Sequence, residues 1–121
     1  NSMANIVTLA EAEASAEFYP DDSASGMVLA DGQHSQFIWA KFEPGSVYRL
    51  HSHPYEQSSV MIRGRLRLTV GDEVREIGPG DTWFAPAGVP YGGEILGDEA
   101  VVFVDIYAPH SGGLGNDVEF F

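Results

Sequence analysis

The stretch GSVYRLHSHPYEQSSVMIRG, residues 45–64, decides both the fold and the site. Its centre carries His51 and His53, two apart in an extended-looking run, with Gln57 four positions further on. A strand points alternate side chains to one face, so both imidazoles enter one space about 6 to 7 Å apart at the backbone. That is a metal-ligand spacing. Two neutral imidazoles on an apolar face would each need their own hydrogen-bond partner, whereas one divalent cation satisfies both.

Outward from this stretch the chain alternates short β-favouring runs with turn residues. The runs are Met27 to Ala30, Phe37 to Phe42, Val47 to His53, Ser58 to Ile62, Leu66 to Val70, Val74 to Ile77, Thr82 to Ala85, Gly92 to Leu96 and Ala100 to Ala108. Between them stand Asp31-Gly32, Pro44-Gly45, Arg63-Gly64, Gly71-Asp72, Gly78-Pro79-Gly80, Pro86-Ala87-Gly88 and Gly97-Asp98, all of them turn chemistry. Nine strands at this spacing predict an all-β sandwich or barrel. Residues 1–25 read as an N-terminal arm, with a helical turn between Leu9 and Phe18 that Pro20 stops, and residues 26–121 as a single barrel domain.

The 121 residues have room for one domain with a core able to close around a small ligand. Six Lys and Arg against 18 Asp and Glu give a net charge of −12, a field that repels nucleic acid and anionic lipid. With no cysteine, neither a disulfide nor a thiolate nucleophile enters the account. No apolar run reaches spanning length and the opening residues lack a secretory signature, so the expectation is a cytoplasmic protein without a membrane partner. Arg49, Arg63, Arg65 and Arg67 cluster near the histidines, where they would reverse the field locally for an anionic substrate.

Strand parity extends the candidate site. With His51 and His53 inward, Val47 and Arg49 follow on the same strand, and Gln57, Ser59 and Met61 on the next. Asp105 lies in a final strand otherwise apolar on both faces, so it needs a partner: Arg49, a metal-bound water or a substrate hydroxyl. His34 reads as a surface turn residue and His110 as a residue of the barrel mouth or surface. Glu56 has the opposite parity to Gln57 and points outward. Trp39, Trp83, Phe84 and Phe103 read as core or dimer-interface aromatics, and exposed apolar strands at the barrel edge predict a homodimer.

These residues resemble the cupin family. Its first motif, G-x5-H-x-H-x3-E-x6-G, is matched in register by Gly45, His51, His53 and Gly64, with Gln57 in place of the glutamate. Its second, G-x5-P-x-G-x2-H-x3-N, is matched by Gly80, Pro86 and Gly88, with Tyr91 at the histidine and Ile95 at the asparagine. The resemblance implies a double-stranded β-helix, the cupin jelly-roll barrel, with a divalent metal inside. His51-Ser52-His53-Pro54-Tyr55-Glu56-Gln57 and Asp105-Ile106-Tyr107-Ala108-Pro109 are most similar to the small KdgF-type cupins of pectin and alginate breakdown, which convert unsaturated uronates to linear keto sugars. By that resemblance Asp105 is the acid and Tyr107 the aromatic of the last strand, while Ser111 stands where an arginine is expected.

The expectation that follows is a cupin enzyme with lyase or isomerase chemistry on a sugar acid or related polar carbonyl compound. His51, His53, Gln57 and Tyr91 would hold a divalent transition metal (Zn, Ni, Mn or Fe). Asp105, Tyr91 and Arg49 would serve catalysis, and Tyr107, Met61 and Arg49 would contact the small-molecule ligand. A phenol binds a cation weakly unless ionised, so Tyr91 is equally suited to hydrogen-bond a bound water or the substrate. The alternatives are a non-catalytic ligand-binding barrel and an iron-dependent dioxygenase using the same ligands.

Overall fold

The computed structural model describes residues 5–18, 24–108 and 118–121, and the account below is of those residues. One helix, α1 (Leu9–Ser15), precedes eleven strands: β1 (Glu17–Phe18), β2 (Ala24–Asp31), β3 (Gln36–Phe42), β4 (Val47–Ser52), β5 (Gln57–Arg63), β6 (Arg65–Val70), β7 (Glu73–Ile77), β8 (Thr82–Ala85), β9 (Tyr91–Leu96), β10 (Val101–Tyr107) and β11 (Glu119–Phe120). The nine expected strands correspond to β2 through β10, with ends shifted by up to three residues. The two additions, β1 and β11, are two-residue strands whose pairing depends on the body of the fold rather than on their own pattern.

The strands form two antiparallel sheets, one in the order β1-β2-β3-β10-β5-β8 and the other β11-β4-β9-β6-β7. The chain passes from sheet to sheet so that neighbours in space are distant in sequence, as β3 beside β10 and β4 beside β9. This is the double-stranded β-helix of a jelly-roll barrel. Alternation drives it: in β6, Leu66 and Leu68 are buried while Arg65 and Arg67 are exposed, and in β8 Trp83 and Ala85 alternate with exposed Thr82 and Phe84.

Between the sheets Phe42, Tyr48, Met61, Leu66, Trp83, Tyr91 and Phe103 form the main core. Phe103 is its hub, with the rings of Trp83, Tyr48 and Phe42 at 5.0, 5.3 and 5.8 Å. The tight β5–β6 connection turns on Gly64, whose φ is +86° and where a Cβ would stand 2.5 Å from the Ala100 carbonyl oxygen.

A second apolar cluster lies on the outer side of the six-stranded sheet. There Ala12 of α1, with Val7 and Ala16, covers Trp39 and Val102. The helix starts on a capping box in which the Thr8 side chain accepts from the Glu11 N–H and Glu11 accepts from the Thr8 N–H at 2.9 Å. The cover is worth having, because a large apolar side chain kept from water contributes roughly 1.5–3 kcal/mol. No helix among the described residues is long and apolar enough to cross a membrane.

Candidate metal centre

β4 and β9 bring the histidines to Tyr91, but not by simple alternation. Tyr48 pairs with Gly93 and His51 with Tyr91, so three steps on β4 match two on β9. This β-bulge puts Tyr48 and His51 on the same inner side. Gly92 makes the bulge possible: a Cβ there would lie 2.7 Å from the Tyr48 carbonyl oxygen and 2.8 Å from the Leu50 Cα. The extra residue also leaves Arg49 exposed at the rim, where the Phe120 ring beside it lies 5.7 Å from that of His51. Its guanidinium lies 5.0 Å from the Phe120 ring centre, and its Nε donates to the Phe121 carbonyl at 3.4 Å. Val47, expected inward with it, is also exposed.

His53 is the node of the site. Its Nδ1 is 2.7 Å from the Tyr55 carbonyl oxygen, which can only accept, so the proton sits on Nδ1 and the Nε2 lone pair is free. Nε2 in turn stands 3.1 Å from Gln57 Oε1 and 3.0 Å from the Tyr91 hydroxyl, and that hydroxyl also contacts Gln57 Oε1 closely. Three electron-rich atoms therefore converge around the Tyr91 hydroxyl. The Tyr55 ring stacks on His53 at 4.0 Å with an 8° tilt, and Tyr107 presents its edge at 5.7 Å.

His51 is held in the same tautomer, with Nδ1 2.7 Å from the Arg49 carbonyl oxygen. Its ring lies 6.2 Å from that of His53 and 4.3 Å from that of Tyr91. Desolvation first, and then the neighbouring His53, lower its pKa, so His51 is neutral and able to donate its lone pair around neutral pH. A histidine whose outer nitrogen is fixed by a carbonyl is how proteins prepare the inner nitrogen for a cation.

The donor set fits a divalent cation. Neighbouring ligands on metal–nitrogen and metal–oxygen bonds of about 2.1 Å stand about 3 Å apart, the separation seen here between Nε2 of His53 and the oxygens of Gln57 and Tyr91. Among the described residues no group of three or more His, Cys, Asp or Glu side chains converges, so Gln57 and Tyr91 must complete any set begun by the histidines. Burial, followed by the nearby Tyr48 and Asp105, pushes the Tyr91 phenol well above its usual pKa, leaving it a neutral oxygen with a proton to donate.

Behind Gln57 runs a polar chain that alternation places correctly. The Gln57 Nε2 donates to Ser59 Oγ at 3.0 Å, and Ser59 Oγ donates to Asp105 Oδ1 at 2.6 Å. Asp105 thus finds its partner in Ser59, not in the expected Arg49. The chain fixes the Gln57 amide so that its oxygen, not its nitrogen, faces His53. Desolvation raises the Asp105 pKa to about 7 against the opposing hydrogen bonds from Ser59, Gln57 and Tyr107, so this carboxyl exchanges its proton near neutrality.

Met61, expected to touch the ligand, is 1% exposed and packs in the main core, in the cluster that also holds Tyr48 and Tyr91. The expected arginine cluster does not form: Arg63 pairs with Glu13 at 3.3 Å, Arg67 with Glu94 at 2.7 Å, and Arg65 with Glu76. Glu56 and His34 are exposed as expected, whereas Pro109, His110 and Ser111 lie outside the described residues. Sequence reasoning missed Tyr48, whose buried phenol interacts with Tyr91 and Gln57, and Tyr55, which fixes His53 through both ring and carbonyl. Tyr55 carried no periodic signal, since it lies in the loop between two strands.

Residues 38–107, more than half of the chain, match the Cupin_2 family, described as a cupin domain. Oxalate decarboxylase OxdC of Bacillus subtilis (strain 168) is 32% identical over 72 residues, which cover 55% of this chain and 18% of that protein. The chain therefore spans less than a fifth of that curated relative. KdgF from Halomonas sp. superposes with a TM-score of 0.73 at 21% identity, covering 81% of this chain and 90% of that one. The polyketide cyclase RemF from Streptomyces resistomycificus gives 0.75 at 20% identity over 95% and 89% of the two chains. A Klebsiella pneumoniae protein with a double-stranded β-helix domain gives 0.76 at 22% identity over 97% and 96%. At these identities the superpositions speak to the fold alone. Because the family match runs from β3 to the end of β10 and takes in both motifs with their turns, the chain belongs to the cupin family.

Proposed function

We propose that this cupin is a metal-dependent enzyme acting on a sugar acid or a related polar carbonyl compound, with lyase or isomerase chemistry. The observation that carries the reading is the convergence of His53 Nε2, Gln57 Oε1 and the Tyr91 hydroxyl beside the neutral His51, each imidazole keyed by a backbone carbonyl. His51, His53 and Gln57 would hold a divalent cation, with Tyr91 as the fourth contact. Bound there, it would polarise a carbonyl or hydroxyl oxygen of the ligand as a Lewis acid.

The chain's own residues provide the rest. Asp105, with its proton poised near neutrality, is suited to accept or return a proton, and Ser59 couples it to Gln57. Tyr91 keeps its proton and donates a hydrogen bond to an oxygen developing charge at the site. The name of one relative, an oxalate decarboxylase, supports a carboxylate substrate. Ile6, Leu9 and Phe37, exposed on the N-terminal segment and on β3, support the homodimer as the assembled form.

A non-catalytic binding barrel is the second reading, favoured by the uncharged donors, which leave the site without a carboxylate ligand. Elemental analysis of protein purified without added metal, combined with turnover assays on an unsaturated uronate, separates the two. The enzyme reading expects a stoichiometric divalent ion and turnover, both lost in His51→Ala. Turnover that survives without metal, or no metal uptake at saturating supply, sinks it. Iron as the bound ion, with oxygen consumption, would move the chemistry to the dioxygenase alternative.

A further inference from the structure

The two sheets part where β7 and β8 form their free edges, because the Gly78–Asp81 connection carries the chain from one sheet to the other. Between those edges lies a groove of about 1050 Å³, ample for a sugar-sized ligand. Its walls come from both sheets, and it reaches inward as far as Ser59, the middle member of the Gln57–Ser59–Asp105 chain.

The charges around it sort themselves. Glu76 is paired with Arg65, and Asp81 accepts the Gly78 N–H at 2.8 Å. Glu73 and Arg75 are left, two apart on β7. Their register partners are Val70 and Leu68, so both share the inner face with buried Leu68 and line the groove. Lys41, Arg63, Arg65 and Arg67 are all in ion pairs, and Arg49 is bound to Phe120 and Phe121. Among the described residues, Arg75 is the one basic side chain with no ion pair, hydrogen bond or ring contact.

Trp83 lines the same groove. It is 7% exposed, and its Nε1–H is buried without a hydrogen-bond partner among the described residues. The Trp39 Nε1–H beneath α1 is buried in the same way, so Trp83 enters the site by its ring, which lines the groove. Thr82 and Phe84 also line the groove but alternate with Trp83, so they stand on the other face of β8. A free guanidinium, an unpaired carboxylate and the indole ring together suit a ring that carries both a carboxylate and hydroxyls.

We propose that the seam between β7 and β8 binds a cyclic hydroxylated carboxylate, with Arg75 on its carboxylate, Glu73 on its hydroxyls and the Trp83 ring beside it. This deepens the sugar-acid reading of the preceding section and rests on it for the ligand class. The groove, lined by neither His51 nor His53, is reached through the side of the barrel and meets the metal centre at Ser59 and at Val70, the register partner of Tyr91.

The chain has two tryptophans, so its ¹⁵N-labelled indole groups give two resonances that Trp39→Phe assigns, or Trp83→Phe if that variant fails to fold. Trp39, beneath α1, is the internal control. Titration with D-galacturonate is expected to shift the Trp83 indole saturably and leave Trp39 still, while D-galactose has no effect. Arg75→Gln, at an exposed side chain, should weaken the interaction about tenfold or more, and His53→Ala should leave it intact. An unmoved Trp83, equal response to galactose, undiminished binding in Arg75→Gln, or loss of binding in His53→Ala overturns the seam site. None of these outcomes touches the proposed chemistry, which stands or falls on metal content and turnover.

Discussion

β4 and β5 run one after the other in the sequence and both feed the candidate metal centre, yet they obey different rules. β5 alternates without interruption, so Gln57, Ser59 and Met61 all face inward, as period two requires. β4 breaks the alternation between Tyr48 and His51, and the break exchanges Arg49 for Tyr48 on the inner side. The difference lies on the neighbouring strands. β5 is flanked by β10 and β8, with its one register shift beyond the site at Val102–Phe103, whereas β4 lies over Gly92, where the absent side chain lets its backbone approach and bulge. A polar side chain thus enters the site by pattern on one strand and by a partner's glycine on the other.

The sharpest way to break this contrast is Gly92→Ala. The new methyl would meet three backbone atoms of β4 at 2.7–2.9 Å, so the bulge must shift. We expect a loss of about 3 kcal/mol in urea unfolding, together with weaker metal uptake because His51 moves. Unchanged stability and uptake would mean that the bulge does not depend on this glycine.

Ser59→Ala tests the regular strand. It removes the donor to Asp105 and the acceptor for Gln57, leaving both buried groups short of a partner at a cost of about 2 kcal/mol. Freed from the chain, the Gln57 amide loses its fixed orientation, and isothermal titration with Zn²⁺ should show about 10-fold weaker binding or more. Equal affinity in the two proteins would remove Ser59 from the positioning of Gln57.

Asp105→Asn isolates the far end of that chain. Burial raises the carboxyl from its ordinary 3.8 to about 7 in the folded state. Between those values the folded protein holds more protons than the unfolded one, so this group's contribution to stability falls as pH rises from about 4 through 7. The asparagine variant lacks that slope. Its melting temperature relative to the parent should therefore increase between about pH 5 and pH 8, by the equivalent of about 1 kcal/mol or more. A constant difference across that range would show that Asp105 titrates normally.

Arg49→Ala should do least. The residue lies exposed at the rim against Phe120 and Phe121, and losing an exposed cation–π contact costs about 0.5–1 kcal/mol. Metal uptake should not change. A large fall in uptake would return Arg49 to the site and contradict the bulge.

The strands and most of their ends were legible because alternation and turn glycines are local signals. Gln57, Tyr91 and Asp105 were legible too, through motif register and parity, and they do meet around His53 and Ser59. Val47 and Arg49 could not be placed by parity, because their exposure depends on a bulge written on another strand. Tyr55 could not be read at all, because its contact with His53 is made by a loop whose path no period describes.

By itself the sequence determined an all-β cupin barrel, the histidine pair as its marker and an acidic exterior, since hydrophobic period, turn chemistry and net charge are properties of the chain alone. The tertiary structure decided which side chains share the interior and in what protonation state. Those depend on the close approach of Gly92 to β4, on the carbonyls of Arg49 and Tyr55 that fix both imidazoles, and on the burial that raises Asp105. Each is a contact or a loss of solvent between residues distant in sequence or held in loops, and such contacts exist only once the two sheets have closed.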